Sequence, residues 1–224
     1  MIDDLGLDHP VLVGESLGGQ ELSSVGSRRP EKVDGLIYLD AGYQYAYYDR
    51  SKGFLDIEVN EVRRKLEQLE PGKRPPDPRP LLDELLQTSL PELERTLRQI
   101  QERFKNAPPQ PQTPAPARPP IAPIVAAISR GSQRYTDIRA PVLAIYAFEA
   151  VRGQDGSPAR VAAEAQNQMK RDQAAAFKAG VRSARVVRLD NASHDVFRSN
   201  ESEVRREIDD FIRSLPKPGG SPKP

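Results

Sequence analysis

Several residue types that support particular kinds of site are missing or scarce in this chain of 224 residues. It contains no cysteine, which excludes disulfides and thiolate zinc sites. Cysteine usage therefore gives no information on whether the protein works in an oxidising or a reducing compartment. It contains only two histidines, His9 and His194, so a reaction that needs an imidazole has two candidates. No apolar run reaches the length of a membrane-spanning helix.

Charge of either sign is also not in excess. The chain carries 33 basic and 32 acidic side chains, for a formal net charge of +1, which gives no reason to expect nucleic acid or an anionic membrane as partner. The N-terminus has neither the basic start nor the apolar segment of a signal peptide, so we expect a cytoplasmic location by default. The alternative to this location is export, directed by a signal in a segment that precedes this sequence. The sequence gives no prediction of the oligomeric state.

Short apolar runs alternate with helical patterns along most of the chain. Val11 to Val13 predict a buried strand, 16–27 a helix and 36–39 a second strand, which together make a βαβ unit. The same alternation continues through strand 140–148, helix 157–180, strand 184–190 and helix 201–216. Since βαβ units give parallel strands, we predict an α/β fold: a parallel sheet flanked by helices.

A long insertion interrupts this alternation. It begins with four tyrosines in 43–55, read either as a packing patch or as the wall of a substrate pocket. Leucine spacing then predicts helices over 57–104, and a proline-rich segment, 106–120, follows as a surface loop. We therefore predict a core of residues 1–42 and 136–216, a helical, proline-rich cap at 43–135 and a disordered tail at 217–224.

The stretch "GESLG", residues 14–18, fits the pattern G-x-S-x-G between a predicted strand and a predicted helix. Small residues on both sides let strand and helix approach closely while Ser16 is exposed at the turn. The amide of Leu17 then lies at a helix N-terminus, where it can donate to an oxyanion. This context favours a nucleophilic Ser16 over an idle serine in a glycine-rich turn.

A nucleophilic serine needs a base, and His194 is the histidine that can supply it. It follows the last predicted strand, at the sheet edge where parallel α/β folds place their sites. His9 precedes the first strand, so it lies at the opposite end of that strand, about 15–20 Å from Ser16.

These segments resemble the α/β-hydrolase superfamily. "HPVLVGESLGG" is similar to its strand and nucleophile elbow, "VDGLIYLDA" to the strand that follows, and "NASHDVF" to its histidine loop. The resemblance implies an esterase, lipase, peptidase or related hydrolase, with 43–135 as a lid. It also implies Ser16 as nucleophile, His194 as base and no metal or organic cofactor.

The third member of such a triad is a carboxylate, and three candidates exist. The family usually places it after the strand at 141–147, which favours Glu149, with Asp155 as the next acid along. In some members it follows the earlier strand, where this chain has Asp40. A capping role is the competing interpretation of Asp40, so Glu149 is the predicted acid.

The resemblance also implies strands that precede the elbow and a loop whose amide is the second oxyanion donor. The chain begins about ten residues before the elbow, so we expect an N-terminally shortened member whose elbow strand has an open edge and exposed apolar surface. The predicted function is hydrolysis of an ester or amide bond of a small molecule through an acyl-enzyme. The alternative is an inactive fragment or interaction module of the same fold, whereas "GESLGG" lacks the glycine spacing of a nucleotide-binding loop.

Overall fold

The computed structural model describes residues 2–106, 127 and 131–216. The chain divides into two compact units, one of residues 1–49 and 135–224 and the other of residues 50–134. Most of the predicted proline-rich segment and the whole predicted tail at 217–224 lie outside the described residues.

The first unit is built on a parallel sheet of four strands in the order β1-β2-β3-β4, so the predicted architecture is confirmed. The strands are β1 (Val11–Glu15), β2 (Gly35–Leu39), β3 (Val142–Phe148) and β4 (Ala184–Asp190). The helices of the chain are α1 (Gly18–Arg28), α2 (Leu55–Glu67), α3 (Arg79–Glu84), α4 (Leu90–Asn106), α5 (Pro158–Gly180), α6 (Val196–Ser199) and α7 (Glu201–Ser214). Each observed strand coincides with a predicted one to within two residues.

Both central strands are buried on both faces, as their unbroken apolar sequences require. One face of the sheet packs against Leu22 of α1 and Phe177 of α5. The other packs against Val204 and Phe211 of α7. Alternate residues of each strand enter the two cores, so the sheet is the middle of three layers.

Strand β1 ends the sheet in the part of the chain that the structure describes, since it pairs there with β2 alone. Val13 on this strand is 54% exposed, although it follows and precedes partly buried residues. The predicted open edge and exposed apolar surface of the elbow strand are thus present among the described residues.

The second unit contains α2, α3, a π-helical turn over Leu85–Ser89 and α4. The fully buried carboxylate of Glu58 on α2 accepts a hydrogen bond of 3.0 Å from Thr96 Oγ1 on α4 and joins the two helices. Ile57, which precedes Glu58 in sequence, and Leu85 of the π-helical turn are also buried, at positions that the apolar spacing predicts. The helical prediction for this segment is confirmed, and its role as a cap stays a prediction.

Candidate active site

Ser16 occupies the turn between the end of β1 and the start of α1. Its backbone has φ of 51°, the left-handed region that side chains with a Cβ rarely adopt. The Ser16 amide donates to the carbonyl of Leu39 on the adjacent strand, 3.3 Å away, which holds the turn against the sheet. Leu17 follows as the N-cap of α1, so its amide lies at the positive end of that helix.

The glycines around Ser16 do not all have the role that the motif predicts. A Cβ on Gly14 would lie 2.9 Å from the carbonyl oxygen of Gly18, which confirms close approach of strand and helix. A Cβ on Gly18 would meet nothing within 4 Å, so this glycine is not required for packing. The tight position is Gly19, where a Cβ would lie 2.1 Å from the carbonyl oxygen of Ala41.

His194 lies in the loop after β4, and its Nδ1 is 2.7 Å from Oδ2 of Asp40, the residue after β2. Asp40 is fully buried, whereas the imidazole of His194 is half-exposed. Ser16, Asp40 and His194 each follow a strand of one parallel sheet, so all three lie at its carboxyl edge.

The carboxylate of Asp40 has three further contacts. Its Oδ1 accepts a hydrogen bond of 3.0 Å from the amide of Ala147 and another from the hydroxyl of Tyr43. Its Oδ2, which also faces His194, lies 3.4 Å from Nζ of Lys170 on α5. Burial and the neighbouring Asp40 charge raise the pKa of Tyr43, which therefore stays protonated and donates.

The other sequence-predicted acids lie apart from this contact. The side chain of Asp155 is 93% exposed and pairs with Arg160 at 3.2 Å. Glu149 is exposed, and its backbone carbonyl accepts a hydrogen bond of 2.9 Å from Asn167. The structure brings His194 to the alternative candidate, Asp40, rather than to Glu149.

His9, the second histidine, precedes β1 and pairs with its neighbour Asp8 at 2.7 Å. That hydrogen bond raises the pKa of the His9 imidazole. Its place at the opposite end of β1 from Ser16 agrees with its exclusion as the base.

The tyrosines after β2 pack on the sheet and also reach the candidate site. Tyr48 is buried, and Tyr43 and Tyr45 pack against the core with their ring centroids 6.0 Å apart. Burial raises the pKa of Tyr45, and a hydrogen bond with the side chain of Ser16 partly opposes this rise. The interpretation of this aromatic segment as a packing patch is therefore supported, and its role as the wall of a substrate pocket stays a prediction.

Sequence reasoning did not single out Tyr43 or Lys170 as partners of the acid. A group of three His, Asp or Glu residues able to hold a metal ion is not present within 2–106, 127 and 131–216. The donors that surround Asp40 are a backbone amide, a phenol, an ammonium and an imidazole, which suit an ionised carboxylate.

A model of the alpha/beta hydrolase family matches residues 1–207. This chain belongs to the alpha/beta hydrolase family. The resemblance drawn from the elbow and the histidine loop is thereby confirmed, and the protein is a hydrolase at the level of the family.

Solved structures similar to this alpha/beta hydrolase include a marine microorganism esterase, with 16% identity over 94% of this chain and 72% of that chain at a TM-score of 0.45. Another is a thermophilic esterase from Thermogutta terrifontis, with 17% identity over 95% of this chain and 68% of that chain at a TM-score of 0.45. A third is a putative non-heme bromoperoxidase, BpoC, from Mycobacterium tuberculosis, with 17% identity over 96% and 70% at 0.44. The comparison with curated proteins gives no match. None of the helices in the described ranges is both long enough and apolar enough to span a membrane.

Proposed function

We propose that this alpha/beta hydrolase cleaves an ester or amide bond of a small molecule through an acyl-enzyme, with Ser16 as nucleophile, His194 as base and Asp40 as the acid. The observation that carries the proposal is the contact of 2.7 Å between Asp40 Oδ2 and His194 Nδ1. A fully buried carboxylate fixed on an imidazole at the carboxyl edge of the sheet is the arrangement that nucleophilic catalysis needs.

In this mechanism Asp40 sets the tautomer of His194. An ionised carboxylate only accepts, so Nδ1 carries the proton and Nε2 keeps a free lone pair. Nε2 takes the proton of Ser16 as Oγ attacks the carbonyl carbon, and the carbonyl oxygen becomes an oxyanion. The imidazolium returns this proton to the leaving alcohol or amine. Water then attacks the acyl-enzyme by the same proton route, releasing the acid and restoring Ser16.

The amide of Leu17 is the proposed oxyanion donor. It lies at the N-terminus of α1, where the helix dipole favours negative charge. The φ of 51° at Ser16 supports its proposed role as nucleophile, because strained backbone conformations cluster at functional sites.

Asp40 is preferred to Glu149 as the acid on grounds of burial and hydrogen bonding. Exclusion from water strengthens the attraction between a carboxylate and an imidazolium, and Asp40 is fully buried while Glu149 is exposed. Tyr43 and the Ala147 amide hold the carboxylate in one orientation, which in turn orients the imidazole.

The proposed substrate is a small ester or amide with an apolar or aromatic group. Tyr45, which hydrogen-bonds Ser16, and Tyr43 beside it supply aromatic surface next to the nucleophile. The chemistry uses side chains, backbone amides and water, so the mechanism assigns no role to a metal or organic cofactor.

The test is labelling of the full chain with a fluorophosphonate probe, together with hydrolysis of a p-nitrophenyl ester. We expect labelling and turnover in the parent protein and in Ser24→Ala, a control on the same helix, and loss of both in Ser16→Ala. Absence of labelling in protein that circular dichroism shows to be folded would contradict the proposal and favour the inactive alternative. Labelling that persists in Ser16→Ala would exclude Ser16 as the nucleophile.

A further inference from the structure

A lysine lies buried against the proposed acid. The side chain of Lys170 on α5 is only 11% exposed, and its Nζ lies 3.4 Å from Oδ2 of the fully buried Asp40. The same Nζ donates a hydrogen bond of 2.9 Å to the carbonyl of Ala147 at the end of β3. Burying an ammonium costs free energy unless it is paired. Here it is paired with the Asp40 carboxylate and with the carbonyl of Ala147, whose amide also binds Asp40.

Lys170 and His194 meet the same oxygen of the carboxylate. Oδ2 has the imidazole at 2.7 Å and the ammonium at 3.4 Å, while Oδ1 accepts from Tyr43 and from the Ala147 amide. Each carboxylate oxygen therefore has two donors. The carboxylate of Asp40 and the ammonium of Lys170 balance each other, so the group of three side chains gains a net positive charge when the imidazole takes up a proton.

The position of Lys170 is fixed by a second contact one helical turn away. Asn167, three residues earlier on α5, donates a hydrogen bond of 2.9 Å to the carbonyl of Glu149. Two polar side chains of one helix face thus bind two carbonyls at the end of β3, and both residues are buried. The ammonium is held at the carboxylate by the packing of the helix.

We infer that Lys170 is a positioning residue of this site, which keeps Asp40 ionised and, by opposing the charge of Asp40, keeps His194 neutral and able to act as base at lower pH. The inference rests on the proposed function. A cation beside Asp40 offsets part of the attraction between the carboxylate and an imidazolium.

Other titratable groups around Asp40 and His194 do not supply this charge. Tyr43, Tyr45 and Tyr146 face Asp40, and burial raises the pKa of each, so they stay uncharged. Asp195, next to His194, is half-exposed and lies 4.0 Å from Arg198, which is 76% exposed. Water screens this outer pair far more than it screens Lys170.

The test compares Lys170→Met, Lys170→Gln and Lys170→Arg. Gln keeps a donor for the Ala147 carbonyl without charge, Met removes both, and Arg keeps the charge. We expect the acid limb of the kcat/KM profile to move to higher pH by roughly one unit in the Gln and Met variants. It should stay near its original place in Lys170→Arg.

A second readout needs no catalysis. The chain has two histidines, so His9→Gln leaves His194 as the source of the imidazole proton signals in NMR. The pH at which the His194 signal moves halfway should rise in Lys170→Gln and Lys170→Met by the same amount as the acid limb. This measurement also applies to a variant that folds but turns over slowly.

The outcomes separate this inference from the proposed function. An unchanged His194 midpoint in folded Lys170→Gln would overturn the role of Lys170, even where Ser16 is labelled. Absence of Ser16-dependent labelling in the folded parent protein would contradict the proposed hydrolase function, whatever effect Lys170 has on the titration midpoint of His194. A midpoint that falls instead of rising would show that Lys170 does not oppose the imidazolium, and it also overturns the inference.

Discussion

Ser16 and Asp40 share an unusual backbone conformation, with φ of 51° and 44°. Each is the residue directly after one of two paired parallel strands, in which Glu15 and Leu39 are register partners. The left-handed conformation costs about 1–3 kcal/mol at a residue with a Cβ, and such strain persists where the surrounding structure enforces it. The two neighbouring turns therefore place the proposed nucleophile and the proposed acid side by side at one edge of the sheet.

A comparison of kcat between the Asp40→Asn and Glu149→Gln variants identifies the acid. The amide of Asn is nearly isosteric with the carboxylate, but it cannot stabilise the imidazolium and favours the wrong tautomer. We expect kcat for a p-nitrophenyl ester to fall by about 10⁴-fold in Asp40→Asn, as for the loss of such an acid in a serine triad.

Glu149→Gln is the matched control, because its exposed side chain lies apart from the Asp40–His194 contact in the structure. Its kcat should stay within about twofold of the parent value, as is usual for exposed substitutions that leave the fold unchanged. The reverse pattern, with Glu149→Gln inactive and Asp40→Asn active, would restore Glu149 as the acid.

The glycine requirement of the elbow is tested by Gly19→Ala and Gly18→Ala. A methyl at Gly19 would lie 2.1 Å from the backbone oxygen of Ala41, so α1 and the loop after β2 must separate. We expect Gly19→Ala to lower the free energy of unfolding by about 1–3 kcal/mol in urea titrations. Gly18→Ala, where the methyl meets open space, should leave stability unchanged or raise it by up to about 1 kcal/mol. Equal losses in both variants would contradict this reading of the turn.

The hydroxyl of Tyr43 is expected to orient the acid. Tyr43→Phe removes the hydrogen bond to Asp40 Oδ1 and leaves the Ala147 amide on that oxygen. Hydrogen bonds to charged groups contribute about 1.5–3 kcal/mol, so kcat should fall by about tenfold to a hundredfold.

Tyr47→Phe is the control for Tyr43→Phe. The Tyr47 ring packs against Phe177, with ring centroids 6.0 Å apart, and its hydroxyl lies beside Gly180 at the far end of α5 from Lys170. Tyr47→Phe should therefore keep the parent kcat. A Tyr43→Phe variant as active as Tyr47→Phe would show that the phenol does not orient Asp40.

The sheet and the elbow could be predicted because local sequence determines them. Unbroken apolar runs mark strands buried on both faces, and a serine between glycines marks the turn. The acid could not be predicted in the same way, and the sequence favours Glu149 over Asp40. Both residues follow strands, and nothing local shows which carboxylate faces a histidine that is 154 residues from Asp40. The tertiary packing that buries Asp40 and exposes Glu149 decides between them.

Lys170 did leave a signal in the sequence. The buried stripe of α5 runs through Asn167, Lys170, Ala174 and Phe177, at helical spacing, and its first two members are polar. Polar residues on a buried helical face require partners, so the pattern indicates a polar site beneath the middle of the helix. Which groups provide those partners depends on the strand that the helix covers, and only the fold supplies this.

Buried tyrosines predict a loss of stability at alkaline pH. Burial raises the pKa of Tyr38, so the folded protein keeps a proton there that the unfolded chain releases near the ordinary pKa of about 10. Since the unfolded state then binds fewer protons, the free energy of unfolding falls as pH rises above about 10, by about 1.4 kcal/mol per pH unit for each such tyrosine.

Tyr38→Phe tests this prediction with little disturbance of the fold. Ser23, the partner of the Tyr38 hydroxyl at 3.0 Å, keeps its own hydrogen bond of 2.8 Å to the Gly19 carbonyl in the variant. Urea titrations between about pH 10 and 11.5 should show a slope shallower by about 1.4 kcal/mol per pH unit in the variant than in the parent. Identical slopes would mean that Tyr38 ionises in the folded protein as readily as in the unfolded chain.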